Sequence, residues 1–175
     1  RSNTMMESVT SDHIGMLATS MNALALNDAL LQTGIESRIQ TSVEMRQIAE
    51  YYIRDRAIKH LDKKRVVVFG CGTGSPFFST DTAAALRAAE IKADIILKAT
   101  TVDYVYTKDP RKYTDFEAIK ETSHLRVIKD KLRVMDSTAI SLCMDNNIPI
   151  RVFNLNKLEN LKKALLGEDV GTLIK

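Results

Sequence analysis

The stretch Arg65-Val66-Val67-Val68-Phe69-Gly70-Cys71-Gly72-Thr73-Gly74-Ser75-Pro76 narrows the choice of fold more than any other in the chain. Four consecutive apolar residues, three of them β-branched, leave no polar face for solvent, as in a parallel strand covered on both sides. A glycine-rich turn follows at once, then an alanine- and leucine-rich helix from about Thr80 to Ile91 and a second apolar run from Ala93 to Ala99. Strand, tight loop, helix and strand in that order form one unit, whose crossover is expected to be right-handed.

The flanking segments extend the alternation. Ser11 or Asp12 can cap a long helix with apolar positions Ile14, Leu17, Met21, Leu24 and Leu31, stopped by Gly34. Thr41-Ser42-Val43-Glu44 has the form of a capping box and predicts a second helix through Ile48, Tyr52 and Ile53 towards His60. The segment from Thr101 to Arg133 shows no clear period. Asp136 then caps a helix running to Asn147, Ile148 to Phe153 reads as a core strand, Leu158 to Leu166 as a short helix closed by Gly167, and Gly171 to Ile174 as a last strand. This alternation predicts an α/β fold, a three-layer αβα sandwich with a mainly parallel central sheet, in a single domain over residues 1–175.

Composition excludes several classes. With 175 residues, 45% hydrophobic and 27% charged, the chain buries a core and is not disordered as a whole. The 25 basic and 22 acidic residues are interspersed, so the net charge of +3 does not form a nucleic-acid-binding surface. Cys71 and Cys143 are too few for a disulfide scaffold and fit a reducing, cytoplasmic setting. No apolar stretch is expected to span a membrane. His13, His60 and His124 are too scattered for a metal site, and no spacing pairs a cysteine with a histidine as nucleophile and base.

In a parallel sheet, ligands bind outside the carboxyl ends of the strands, which directs attention to the segments after Phe69, after Leu97 and after Phe153. Glycines after a strand let backbone N–H groups surround a phosphate at the following helix N-terminus, or they merely form a tight turn; spacing alone leaves both open. No Gly-Lys-Ser/Thr follows, and Gly70, Gly72 and Gly74 miss the dinucleotide fingerprint by one place. Phe77, Phe78, Ser79, Thr80 and Thr73 supply rings to stack on a base and hydroxyls to bond it, or else core and caps. Lys98 to Pro110, after the next strand, combines hydroxyls, the tyrosines Tyr104 and Tyr106 and the carboxylates Asp103 and Asp109. A purine could lie against an aromatic while Asp109 receives a hydroxyl or amine, or else Asp109-Pro110 is a turn starter and the tyrosines are half-buried loop residues. Asp136 reads as a helix cap or as a carboxylate that orients a phosphate-binding lysine or a metal, and Asp12 as a cap or as a carboxylate accepting from a ribose diol.

The run Gly72-Thr73-Gly74-Ser75-Pro76-Phe77-Phe78-Ser79-Thr80-Asp81 followed by Ala83-Ala84-Ala85-Leu86-Arg87-Ala88-Ala89-Glu90-Ile91 closely resembles the nucleoside-monophosphate loop of the bacterial uridylate (UMP) kinases, which have the amino-acid-kinase fold. Ser11 to Thr19, Lys98-Ala99-Thr100, Val102-Asp103, Asp109-Pro110, Val134-Met135-Asp136, Ile148 to Asn154 and Gly171-Thr172 extend the likeness over nearly the whole chain. The resemblance implies transfer of the γ-phosphoryl of Mg-ATP to UMP in pyrimidine nucleotide biosynthesis. It also implies a cytoplasmic homohexamer with GTP and UTP as effectors, and the alternative is a non-catalytic nucleotide- or oxyanion-binding protein of the same fold. Carried over by position, Asp12 would hold the UMP ribose, and Thr73, Gly74, Ser75, Pro76, Phe77, Phe78, Ser79 and Thr80 would surround the uracil and its phosphate. Thr100, Tyr106 and Asp109 would contact ATP. Asp136 would orient an active-site lysine and Asp81 would stand near the phosphates; no protein metal ligand is implied. The family's Lys-x-Ser-Gly-Glu segment and Gly-Gly-Gly-Asn loop have no counterpart here, so the resemblance implies an N-terminally incomplete domain that is inactive by itself. Two further departures are Ser75, where the family has Asn, and Tyr104, where it has Gly.

Overall fold

The computed structural model describes residues 6–108 and 112–175. The chain forms two compact units, Arg1–Ala83 and Ala84–Lys175, with the boundary inside helix α3 (Thr80–Ile91).

In the first unit α1 (Ser8–Gln32) packs on β1 (Ser37–Thr41) and β3 (Val66–Gly70), and α2 (Arg54–Asp62) packs on β3. β1 is the centre of a three-stranded sheet, parallel to both β3 and the short β2 (Glu50–Tyr51). Two expectations are corrected here. No helix opens at the Thr41 to Glu44 box: Thr41 ends β1, its hydroxyl donates to the Val43 carbonyl, and a single turn at Met45 to Ala49 leads into β2. The edge of β1 captures Glu50 and Tyr51 in its ladder, so tertiary pairing overrides the capping pattern, and the helix starts only at Arg54. β3 is not buried throughout. It forms one edge of this sheet, Val66 is exposed and Val67 to Phe69 are half-buried.

Helix α1 also differs from expectation. It begins at Ser8, with Glu7 as an N-cap residue that makes no side-chain cap bond, so Ser11 and Asp12 lie inside it. The residues it buries are Met16, Ser20 and Ala23, whereas Ile14, Leu17, Met21, Leu24 and Leu31 are exposed. The small side chains are inward because the helix crosses close to Gly70, where an added Cβ would stand 3.6 Å from Ala23 and 3.7 Å from Ser20. The exposed stripe gives this 25-residue helix a window of mean hydropathy 1.2, enough by length and composition to cross a membrane, contrary to the sequence expectation. Its buried residues nonetheless give it a place on the sheet.

In the second unit β4 (Ile96–Thr100) pairs in parallel with β8 (Ile150–Asn154). β8 also pairs antiparallel with β9 (Thr172–Ile174), and β9 in parallel with β7 (Glu121–Thr122). A separate hairpin joins β5 (Val105–Tyr106) to β6 (Ala118–Ile119). Ile150 and Ile174 are fully buried, and α3, α4 (His124–Lys129) and α5 (Ser137–Asp145) add Ala85, Val127 and Ile140 to the same core; Phe153 on β8 is fully buried as well. α5 starts where expected, the Asp136 carboxylate accepting the Ala139 N–H at 2.9 Å. α6 (Glu159–Leu165) packs on β8. Gly171 is fixed by its surroundings: its φ is +66° and a Cβ there would stand 1.9 Å from the Val152 carbonyl oxygen. The chain is thus an α/β protein with mainly parallel sheets, as expected.

Candidate active site

In the first unit the loop after β3 is drawn against α1 by a set of polar contacts. The Cys71 N–H donates to the Thr19 hydroxyl at 2.8 Å, and that hydroxyl donates to the Met16 carbonyl at 2.7 Å. Cys71 Sγ and Ser20 Oγ lie 2.9 Å apart in the buried interior. The Ser42 hydroxyl donates to the Gly72 carbonyl at 2.8 Å. Gly74, with φ +82°, passes so near Ser42 that a Cβ would come within 2.9 Å of its carbonyl oxygen, so only glycine fits. At the far end the Phe77 N–H donates to Asp12 Oδ2 at 2.8 Å, and the Ser79 hydroxyl accepts the Thr82 N–H at 3.0 Å to begin α3.

These contacts enclose a cavity of about 260 Å³ between α1 and the loop. Of the expected residues Asp12, Thr73, Ser75, Phe78, Ser79 and Thr80 line it. Gly74, Pro76 and Phe77 belong to the same loop but do not line the cavity, and Phe77 acts through its backbone on Asp12. Asp12 lies inside α1 and so is not its cap; its carboxylate holds the loop at the cavity wall instead. Gly15, Met16, Thr19 and Gly72 also line the cavity and were not expected there. The first three stand three, four and seven residues after Asp12, one face of a helix, and that spacing was the signal available in the sequence. Asp81 lies in the first turn of α3, where the helix dipole favours an anion.

A larger cavity, about 640 Å³, lies in the second unit at the carboxyl end of β4. Thr100 and Tyr106 line it as expected; Asp109 lies outside the described residues. Lys98, Lys108, Lys112, Lys131 and Arg133 contribute to its wall against Asp130 as the one carboxylate among the described residues, so the cavity is strongly cationic. Lys98 precedes Thr100 by two residues on one strand and was findable from that alternation. Lys108 is held by Asp115, whose carboxyl its hydrogen bond keeps below the usual range, and the Tyr106 ring meets Phe116 edge-on at 5.3 Å. Asp136 caps α5 and does not line this cavity.

Other titratable groups have structural roles. His124 bonds the Ile148 carbonyl at 3.0 Å, and His60 Nε2 lies 3.0 Å from Glu50 Oε2. Burial pushes the Cys143 thiol up to about 11, which removes it as a nucleophile near neutral pH. No group of three His, Cys, Asp or Glu among the described residues could hold a metal ion.

A loop cavity after one strand and a cationic cavity after another, on mainly parallel sheets, are features suited to phosphorylated ligands. The chain belongs to the amino acid kinase family, whose model matches residues 1–154. Among solved structures it is similar to the UMP kinase of Bacillus anthracis, at 39% identity and a TM-score of 0.94 over 97% of this chain and 70% of that one. It is similar also to the UMP kinase of Ureaplasma parvum, at 31% identity and a TM-score of 0.91 over 97% of this chain and 73% of that one. The uridylate kinase of Archaeoglobus fulgidus matches at 32% identity with a TM-score of 0.71, over 98% of this chain and 74% of that one.

Proposed function

We infer that the protein is a UMP kinase, transferring the γ-phosphoryl group of Mg-ATP to UMP to give UDP in pyrimidine nucleotide biosynthesis. The observation that carries the reading is the first-unit cavity, which Asp12, Phe78 and the hydroxyl-bearing Thr73, Ser75, Ser79 and Thr80 line together. A carboxylate that already accepts one N–H keeps lone pairs for a ribose hydroxyl, the ring suits a pyrimidine face, and the hydroxyls suit base edges and phosphate. The cationic second cavity suits the triphosphate of the donor, with Thr100 and Tyr106 in contact with ATP; the resemblance gives Asp109 the same role. Magnesium arrives with ATP as part of the substrate.

Phosphoryl transfer asks a protein mainly for alignment and for positive charge against the spreading negative charge. The residues named supply both: Asp12 and the loop hold the acceptor, and the lysines with Arg133 hold the donor. Asp136 orients a lysine of the active site, and Asp81 at the start of α3 stands near the phosphates. The protein works in the cytoplasm as a homohexamer responsive to GTP and UTP, and the exposed apolar stripe of α1 is a surface suited to a neighbouring copy. The test is ADP release from Mg-ATP with UMP, CMP, AMP or aspartate as acceptor, measured on the protein at its native length. Turnover with UMP above all others is expected; UMP binding with no ADP release would remove the catalytic reading. Asp12→Asn should weaken UMP binding about tenfold and leave ATP binding within about twofold, because only the acceptor side loses a charge-assisted bond.

A further inference from the structure

Tyr104 stands where the resembled family has glycine, and its φ is not among the positive ones, so the backbone carries the large side chain without left-handed strain. Of residues 102–108 Asp103 alone does not line the second-unit cavity. It is held instead by Lys157 Nζ at 2.7 Å and by Asn154 Nδ2 at 3.2 Å. On the other side of Tyr104 the Val105 N–H donates to the Thr172 hydroxyl at 2.9 Å, and the Val105 side chain is buried. The residue is therefore pinned through both chain neighbours, and it lines the cavity, half-buried, as Tyr106 does. The cations already named serve phosphate groups, whereas this ring offers a flat apolar face of the kind on which a nucleobase stacks.

We propose that Tyr104 is a specificity-determining residue, its ring forming a pre-positioned wall on which the base of a purine nucleoside triphosphate stacks. This rests on the reading of the cavity as the donor-nucleotide site and adds what selects the donor's base. A purine presents more stacking area than a pyrimidine, so the wall raises affinity for ATP more than for CTP. The Asp103–Lys157 pair is its positioning device, since releasing Asp103 frees the segment that carries the ring.

Titration calorimetry with Mg-ATP and with Mg-CTP on the wild type, Tyr104→Gly, Tyr104→Leu and Tyr104→Phe tests the proposal, with a thermal melt of each variant as the control for folding. Tyr104→Gly and Tyr104→Leu are expected to weaken ATP binding about tenfold and to shrink the preference for ATP over CTP, and Tyr104→Phe to stay within about twofold of wild type. ATP affinity within twofold of wild type in both Gly and Leu variants would overturn it. So would a loss in Tyr104→Phe equal to that in Tyr104→Gly, since the hydroxyl and not the ring would then be at work. A folded wild-type protein that binds no ATP would overturn the reading of the cavity itself, and with it the role of Tyr104.

Discussion

At the residue scale, the closest constraint is Gly171. With its φ of +66° and the Val152 carbonyl oxygen 1.9 Å from where a Cβ would lie, any side chain must displace β8 or β9. Gly171→Ala is expected to cost about 3 kcal/mol or more of stability, read as a fall in the urea midpoint. The sequence singled out Asp12 and the run from Thr73 to Thr80 at this scale, where side-chain chemistry is dense, and most of them line one cavity. Thr19 and Met16 were not found. A threonine and a methionine inside an apolar helix look like ordinary helix residues, and only the face they share with Asp12 marks them. The role of Asp12 as a cap failed because α1 starts four residues earlier, which left its carboxylate to the Phe77 N–H.

At the scale of elements, strong local signals held and ambiguous ones yielded to pairing. Asp136 before α5, Gly34 after α1 and the strands β8 and β9 could all be read from the sequence, because capping and β-branched runs act locally. The stretch from Thr41 to Ile53 could not, since its fate depends on β1 offering an edge to Glu50 and Tyr51. Which side of α1 is covered could not be read either. Apolar spacing identifies a helix, but the close passage of Gly70 decides that small residues face inward. The cap on α5 allows two roles of one carboxylate to be separated. Asp136→Ala should lose about 1 kcal/mol of stability, and Asp136→Ser should recover most of it, because serine also caps. If Asp136 orients a lysine in catalysis, Asp136→Ser remains deeply impaired in ADP release while its melting temperature returns.

For the whole molecule, four carboxylates depend on partners. The bond from Arg65 holds Glu36 below its ordinary value, and the bonds from Lys157 and Lys108 do so for Asp103 and Asp115. Burial works against Glu50, but the bonds from Gln40 and His60 outweigh it. Each folded-state value lies below the unfolded one, 4.5 for the glutamates and 3.8 for the aspartates, so the stabilisation is present above those values. It is lost as pH falls through the lower folded values. The urea midpoint is expected to be level from neutral to about pH 5 and to fall in more acid solution, with a smaller fall at high salt because most of these groups are exposed. The apolar stripe of α1 gives a second test. Met21 is 71% exposed there, and if the stripe is covered by another copy, Met21→Lys should reduce the assembled mass in sedimentation while each chain stays folded.

The hydroxyl of Thr172 accepts the Val105 N–H and donates to the Ile119 carbonyl, so one side chain on β9 ties down both strands of the hairpin beside the larger cavity. The partners in the first of these bonds are 67 residues apart, and a chain must close that long loop before the wall carrying Tyr104 and Tyr106 can set. If the cavity takes the donor nucleotide, its binding is expected late on the path from the denatured chain, after the helices have formed. In stopped-flow refolding, far-ultraviolet ellipticity should recover ahead of the capacity to bind ATP, and Thr172→Val should widen that interval.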